Sequence, residues 1–160
     1  MLGESILLYM IFLIFLGSPM LEKVSEIDFP TLIEIWERSV RATHDFLPEE
    51  EIKNLKPLIL NEYFQHVLLH KYVQNGQIVG FIGTSSDNIE MLFIDPEFRG
   101  SGVGRILTNF AVTELKIENV DVNEQNYQAI GFYEKLGFTV KGRSDLDGQG
   151  KPYPILHLKI

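Results

Sequence analysis

The sequence predicts a mixed α/β (α+β) domain built on one sheet of about seven strands flanked by about four helices. Three observations predict it. The hydrophobic period changes from helical to alternating and back along the chain. Asn75-Gly76 separates two apolar runs, and a glycine-rich loop, Arg99 to Gly104, joins a third apolar run to an amphipathic stretch. The first gives the order strand, two helices, three strands, helix, strand, helix, two strands. The second makes the first half of the sheet antiparallel. The third makes the following helix a crossover, so the strands on either side of it run parallel.

Met20 to Val24 reads as a short first strand. Asp28 is placed as an N-cap, with Pro30 in the first turn of a helix carrying Leu32, Ile33, Ile35, Trp36 and Val40 to about Ala42. Pro48 to Glu50 opens a second helix, which Pro57 kinks or splits because proline lacks an N–H. His66 to Val73 and Gln77 to Gly83 flank Asn75-Gly76, whose residues accept the positive φ of a type I′ hairpin turn. Ile89 to Ile94 is a third strand, stopped by Asp95-Pro96.

Val103, Ile106, Leu107, Phe110, Ala111 and Leu115 then form one apolar stripe at helical spacing. Val120 and Val122 mark a short strand. Ala129, Ile130, Tyr133 and Leu136 mark a helix that Gly137 ends, and Phe138 to Arg143 and Ile155 to Ile160 close the sheet across the loop Asp145 to Pro154.

Composition narrows the function classes. The 160 residues suit one domain, and 45% apolar with 11% aromatic residues supply a core. A net charge of −8 disfavours a nucleic-acid partner, which needs a basic face. It leaves room for a polyanionic cofactor, since backbone amides bind phosphate without side-chain charge. The absence of cysteine removes disulfides, thiolate metal sites and a cysteine nucleophile, and the four histidines are too scattered to suggest a metal.

Ile6 to Leu16 is an unbroken apolar run of eleven residues, short of the roughly 20 needed to span a bilayer. No Lys or Arg precedes it, so the basic region of a signal peptide is missing. Residues 1–19 are therefore read as an extension outside the natural domain, with Met20 as its start. An extra element packed on the domain and a membrane tether through residues 6–16 are the alternatives. Residues 20–160 form the single domain, expected to be cytoplasmic and a monomer or homodimer.

The glycine loop carries the chemistry. Free amides and the dipole at a helix N-terminus attract anions, glycines admit phosphate oxygens close to the backbone, and Arg99 and Arg105 add charge on either side. A nucleotide-hydrolase loop needs Gly-Lys-Ser/Thr, and here Gly104 is followed by Arg105 and Ile106. A dinucleotide-binding loop needs a third glycine where Arg105 stands, although Asp121 lies roughly 20 residues on, as a ribose-binding acid does. A loop that only turns the chain is the plain alternative. The pattern Gln/Arg-x-x-Gly-x-Gly/Ala is met at each defined position by Arg99, Gly102 and Gly104.

The stretch Met91-Leu-Phe-Ile-Asp-Pro-Glu-Phe-Arg-Gly-Ser-Gly-Val-Gly-Arg resembles the central motif of the GNAT acetyltransferase superfamily. Asn123-Glu-Gln-Asn-Tyr-Gln-Ala-Ile-Gly-Phe-Tyr-Glu-Lys-Leu-Gly-Phe resembles the second motif of that family, in the right order and at the right distance. Trp36 to Leu47 and Gly148 to Leu156 narrow the resemblance to one bacterial branch. It runs from about Met20 to Ile160, and residues 1–19 have no counterpart.

The resemblance implies acetyl-CoA as cosubstrate, a primary amine as acceptor, direct transfer without an acyl-enzyme, and no metal. A strand splayed from its parallel neighbour would offer the backbone of Leu92, Phe93 and Ile94 to the pantetheine. The amides of Gly100, Ser101, Gly102, Val103, Gly104 and Arg105 would hold the pyrophosphate. Asn126 would bond the pantetheine arm, or simply cap its helix. Tyr133, two turns on, would protonate the leaving thiolate, or belong to the core. Glu90 and Asp121 would take the amine's proton, or be solvated strand-end charges. His44, Asp45 and Phe46 would line the acceptor pocket. A non-catalytic acyl-CoA sensor is the alternative reading.

Overall fold

The computed structural model describes residues 19–160, and among these described residues it has a seven-stranded mixed sheet and four α-helices. The apolar run Ile6 to Leu16 lies outside the described residues. Strand β1 (Met20–Lys23) leads to α1 (Phe29–Thr43) and α2 (Glu49–Asn61). Three strands follow, β2 (Leu68–Gln74), β3 (Gln77–Thr84) and β4 (Asn88–Ile94). Then come α3 (Val103–Thr113), β5 (Asn119–Asn123), α4 (Tyr127–Lys135), β6 (Thr139–Ser144) and β7 (Ile155–Lys159). This is the order read from the sequence, with boundaries moved by one or two residues.

Local chemistry explains the elements. Asn75 (φ 51°) and Gly76 (φ 74°) make the two-residue turn between β2 and β3. Asp28 stands at the N-terminus of α1 but does not cap it. Its carboxylate turns back to the Ser25 amide (2.9 Å) and to Lys71 of β2 (2.9 Å). Pro57 neither splits nor ends α2, which runs through it to Asn61. The missing N–H costs one helical bond, and the neighbouring turns keep the helix intact around buried Ile52 and Ile59.

The strand order is β1-β2-β3-β4-β5-β7-β6, and only β4 and β5 pair in parallel. Helices α1 and α2 bury Leu32, Ile35, Trp36 and Ile52 against one face, over Phe81 and Phe93. On the other face Leu107 and Ala111 of α3 and Tyr133 of α4 pack on Val79, Ile82, Val120 and Leu158. Alternation along β4 feeds both cores. Leu92 and Ile94 join the α3–α4 side, and Met91 and Phe93 join the α1–α2 side.

The parallel pair is short. Asn88 faces Asn119, Ile89 faces Val120, and no later residue of β4 pairs with β5. The two strands therefore diverge as a fork. At the crotch the β3–β4 register slips: Gly83 faces Met91 and Thr84 faces Ile89, so Glu90 is the extra residue of a bulge. Beyond it, Leu92 to Ile94 keep β3 on one edge and present the other to the opening.

Candidate active site

The fork opens into a cleft of about 680 Å³, lined by the free edge of β4, the glycine loop, the first turn of α4 and the end of α1. Leu92, Phe93, Ile94, the whole loop from Arg99 to Arg105, Asn126 and Tyr133 all line it, and so does His44. Ser39, Thr43, Phe98, Gln128, Ala129 and Phe132 complete the walls. Sequence reading missed these six. Ser39 and Thr43 sit four apart on α1, and Ala129 and Phe132 follow Asn126 at helical spacing, so offsets from the known positions were the available signal.

The loop is shaped as an anion cradle. Gly100 (φ 75°) and Gly102 (φ 89°) adopt the left-handed conformation, and Gly102 caps α3. Ile106 is the first residue of the helix whose amide finds a carbonyl, Gly102 O at 3.0 Å. The amides of Val103, Gly104 and Arg105 therefore have no acceptor among the described residues and stand at the positive end of the helix dipole. Ser101 differs from its neighbours. Its amide is spent on Phe98 O at 3.3 Å, and its hydroxyl donates to the same carbonyl. Gly104 also permits close packing, since a Cβ there would come within 3.3 Å of the Phe132 ring.

The arginines divide in an informative way. The sequence has five, and Arg38, Arg41 and Arg143 each pair with a carboxylate. Arg99 and Arg105, which line the cleft, have no carboxylate within ion-pair distance among the described residues. In a chain of net charge −8, two guanidiniums with no carboxylate among the described residues, beside helix-end amides, offer the donors that a phosphate takes.

Asn126 caps α4 by accepting from the Ala129 amide (3.1 Å), and its Nδ2 stands 3.3 Å from His44 Nε2. Tyr133 is 5% exposed, with Phe132 and Phe138 rings at 5.0 and 5.4 Å. It is thus both a core tyrosine and a wall of the cleft. Burial pushes its phenol well above the usual range, so the proton stays on oxygen at neutral pH. His44 is held at about 4 by burial first and the Arg99 guanidinium second, against a weaker opposing pull from Asp45. Its ring is therefore neutral in the working range.

The other candidates lie outside the cleft walls. Asp45 is exposed. Phe46 packs between His44 (5.3 Å) and Tyr153 of the β6–β7 loop (6.4 Å). Tyr153 in turn lines a second cleft, about 360 Å³, with Leu47, Glu51, Leu55, Tyr63 and Asp147. Glu90 is exposed at the bulge and accepts from Ser85 Oγ at 2.7 Å. Asp121 accepts from His157 Nδ1 at 2.6 Å, and His157 Nε2 meets Ser144 Oγ at 2.7 Å. Those three residues have the hydrogen-bond order of a Ser-His-Asp triad, which sequence spacing did not reveal. They sit on the adjacent strands β5, β7 and β6 and line neither of these two clefts.

Comparison with known proteins agrees with this geometry. Residues 42–150 match the family described as acetyltransferase (GNAT) domain. The chain is 46% identical over 127 residues, 79% of its length and 86% of the relative's, to the peptidyl-lysine N-acetyltransferase YjaB of Escherichia coli (strain K12). The solution structure of apo-form YjaB from Escherichia coli superposes with a TM-score of 0.79 at 43% identity, covering 89% of this chain and 97% of that one. The fold also matches the PaiA N-acetyltransferase of Thermoplasma acidophilum in complex with coenzyme A, with a TM-score of 0.72 at 24% identity, covering 89% of this chain and 99% of that one.

Proposed function

We propose, from the premise that the chain belongs to the acetyltransferase (GNAT) family and takes its acetyl group from acetyl-CoA, that its acceptor is the ε-amine of a lysine in a polypeptide. One observation carries the transfer from acetyl-CoA: a single cleft joins a phosphate cradle to the free edge of β4 and to Tyr133. The pyrophosphate lies on the amides of Val103 to Arg105 with Arg99 and Arg105 beside it. The pantetheine runs along Leu92 to Ile94, bonded by Asn126, and brings the thioester into the fork.

Glu90 and Asp121 are the first residues beyond the last paired positions, Ile89 and Val120, on the two prongs of that fork. A lysine ammonium, with a pKa near 10.4, must lose a proton before it attacks. We assign that proton, passed through water, to one of these two carboxylates. The neutral amine then forms the C–N bond as the C–S bond breaks, the Tyr133 phenol gives its proton to the coenzyme A sulfur, and the proton shed by the acylated nitrogen restores the phenol through water. No covalent enzyme species is required.

Lysine as acceptor is supported by the named activity of YjaB and by the acceptor side of this chain. There the Phe46–Tyr153 contact bridges the α1–α2 connection to the β6–β7 loop, beside Glu51, which is paired with Lys151, and Asp147, whose Oδ1 accepts from the Gln149 and Lys151 amides. Incubation of the chain and acetyl-CoA with lysine peptides and small amines, read by mass spectrometry, tests the reading. Acetyl on peptide ε-amines, matched by coenzyme A release, is the expected result. Acetylation confined to small amines, or an acetyl-enzyme that forms and decays, would overturn it. Under the same conditions, E90Q and D121N identify the base by which of them loses the ascending limb of the pH–rate profile.

A further inference from the structure

We propose that His44 is a positioning residue for the cofactor, orienting the Asn126 carboxamide through one directed chain of hydrogen bonds across the mouth of the cleft. The proposal rests on the reading above in which Asn126 bonds the pantetheine arm.

The direction of every proton in the chain follows from the contacts. The Thr43 hydroxyl donates its only proton to Ser39 O at 2.7 Å. Its oxygen also lies 2.7 Å from His44 Nδ1, so at that contact the ring must be the donor. A neutral ring with its proton on Nδ1 has a bare Nε2. That atom faces Asn126 Nδ2 at 3.3 Å and accepts from it. The Asn126 carboxamide is then fixed from both ends, since its Oδ1 accepts from the Ala129 amide at 3.1 Å. One N–H of Nδ2 and one lone pair of Oδ1 are left for a ligand.

The arrangement selects the neutral ring. A protonated His44 would set an N–H against the Asn126 NH₂, two donors facing each other. Burial and the Arg99 guanidinium oppose that protonation, and only the exposed Asp45 favours it. Phe46 packs against the ring at 5.3 Å and restricts its tilt. The chain also joins the two halves of the fold, because His44 follows α1 over β2–β4 and Asn126 opens α4 beside β5. A cleft whose strands have parted thus has its mouth tied by side chains.

The test is a double-mutant cycle on the full chain, with acetyl-CoA affinity read by calorimetry and kcat measured at saturating cofactor. H44N keeps a donor near the Nδ1 position and removes the acceptor at Nε2. H44Q carries an acceptor to about the Nε2 position. N126A is expected to weaken acetyl-CoA binding about tenfold and H44N about fivefold, with kcat falling less than affinity. H44Q is expected to recover most of the affinity lost in H44N, and the H44N/N126A double variant to bind as N126A does. Multiplication of the two single effects in the double variant would overturn the role of His44 and leave that of Asn126 standing. Unchanged affinity in H44N, or an equal loss in H44Q, would do the same. Unchanged affinity in N126A would overturn the reading of Asn126 on which the proposal rests.

Discussion

Arg38 of α1 holds Asp95, the residue before the turn Pro96–Phe98 that leads into the glycine loop, with Nη2 2.5 Å from Oδ2 of a carboxylate that is 3% exposed. The other oxygen of Asp95 accepts from the Glu97 amide at 3.2 Å, and its own amide donates to Val79 O at 2.9 Å. One side chain thus closes the short turn Pro96–Phe98 and ties it to the helix above. R38M leaves a buried carboxylate with a single backbone donor. Because the guanidinium is half exposed, the expected loss in urea unfolding is about 1–2 kcal/mol, below that for breaking a fully buried pair. Affinity for acetyl-CoA should fall with it, since the turn sets where Arg99 begins. An unchanged midpoint and affinity would show that the turn stands without Arg38.

Arg99 and Arg105 lack carboxylate partners among the described residues, so neutralising them tests the proposed cofactor contacts without breaking ion pairs. R99A and R105A should each raise the KM for acetyl-CoA about tenfold with a smaller change in kcat, the value of one charge-assisted contact at a partly solvated site. The same variants should flatten the dependence of KM on salt. Equal losses of kcat with KM unmoved would assign the arginines to the acceptor side.

Tyr133 gives a prediction in kcat. Its phenol carries its proton at working pH as any phenol does, and burial strengthens that hold, so it stands as a donor to a departing thiolate and not as a base. Y133F keeps the ring contacts with Phe132 and Phe138 and removes only the oxygen. Turnover should fall about a hundredfold, with acetyl-CoA affinity within about twofold, the lower end of the range for general acid catalysis. Stopped-flow measurement of coenzyme A release checks it. Full turnover in Y133F would mean that water protonates the sulfur.

The legible parts of this site were those written in a local repeat. Glycine spacing marked the loop because left-handed backbone and close approach leave few other residue choices. The distance from Asn126 to Tyr133 showed one helix face because it is two turns. What the sequence hid depends on strand register. The bulge that leaves Glu90 unpaired is a slip between β3 and β4, and no local pattern encodes it. Asp121, His157 and Ser144 meet across three adjacent strands, and Asp121 pairs with His157 only once β7 lies beside β5. The place of His44 at the end of a helix points to the acceptor pocket, with no sign of its partner. The structure turns its ring to Asn126, a partner 82 residues away.

Two neutral histidines make stability depend on acid in a defined window. His44 is held near 4 from an ordinary 6.5, by burial and then Arg99, against Asp45. His70 is also lowered, by burial first and Lys23 second, and its Nδ1, beside the Phe110 ring at 4.7 Å, has no partner among the described residues. Above pH 6.5 both rings are neutral whether the chain is folded or unfolded, and their contribution is fully present. As pH falls below 6.5 the unfolded chain binds protons that the folded chain refuses, so stability drops. For His44 the drop continues to about pH 4 at up to about 1.4 kcal/mol per pH unit. The expected observation is a urea midpoint that falls between pH 7 and pH 5 in the parent chain, and falls less in H44Q and in H70F. H70F should in addition lose little at pH 7, because it replaces an unsatisfied buried nitrogen with carbon. An identical pH dependence in all three chains would mean that neither ring is kept neutral by the fold.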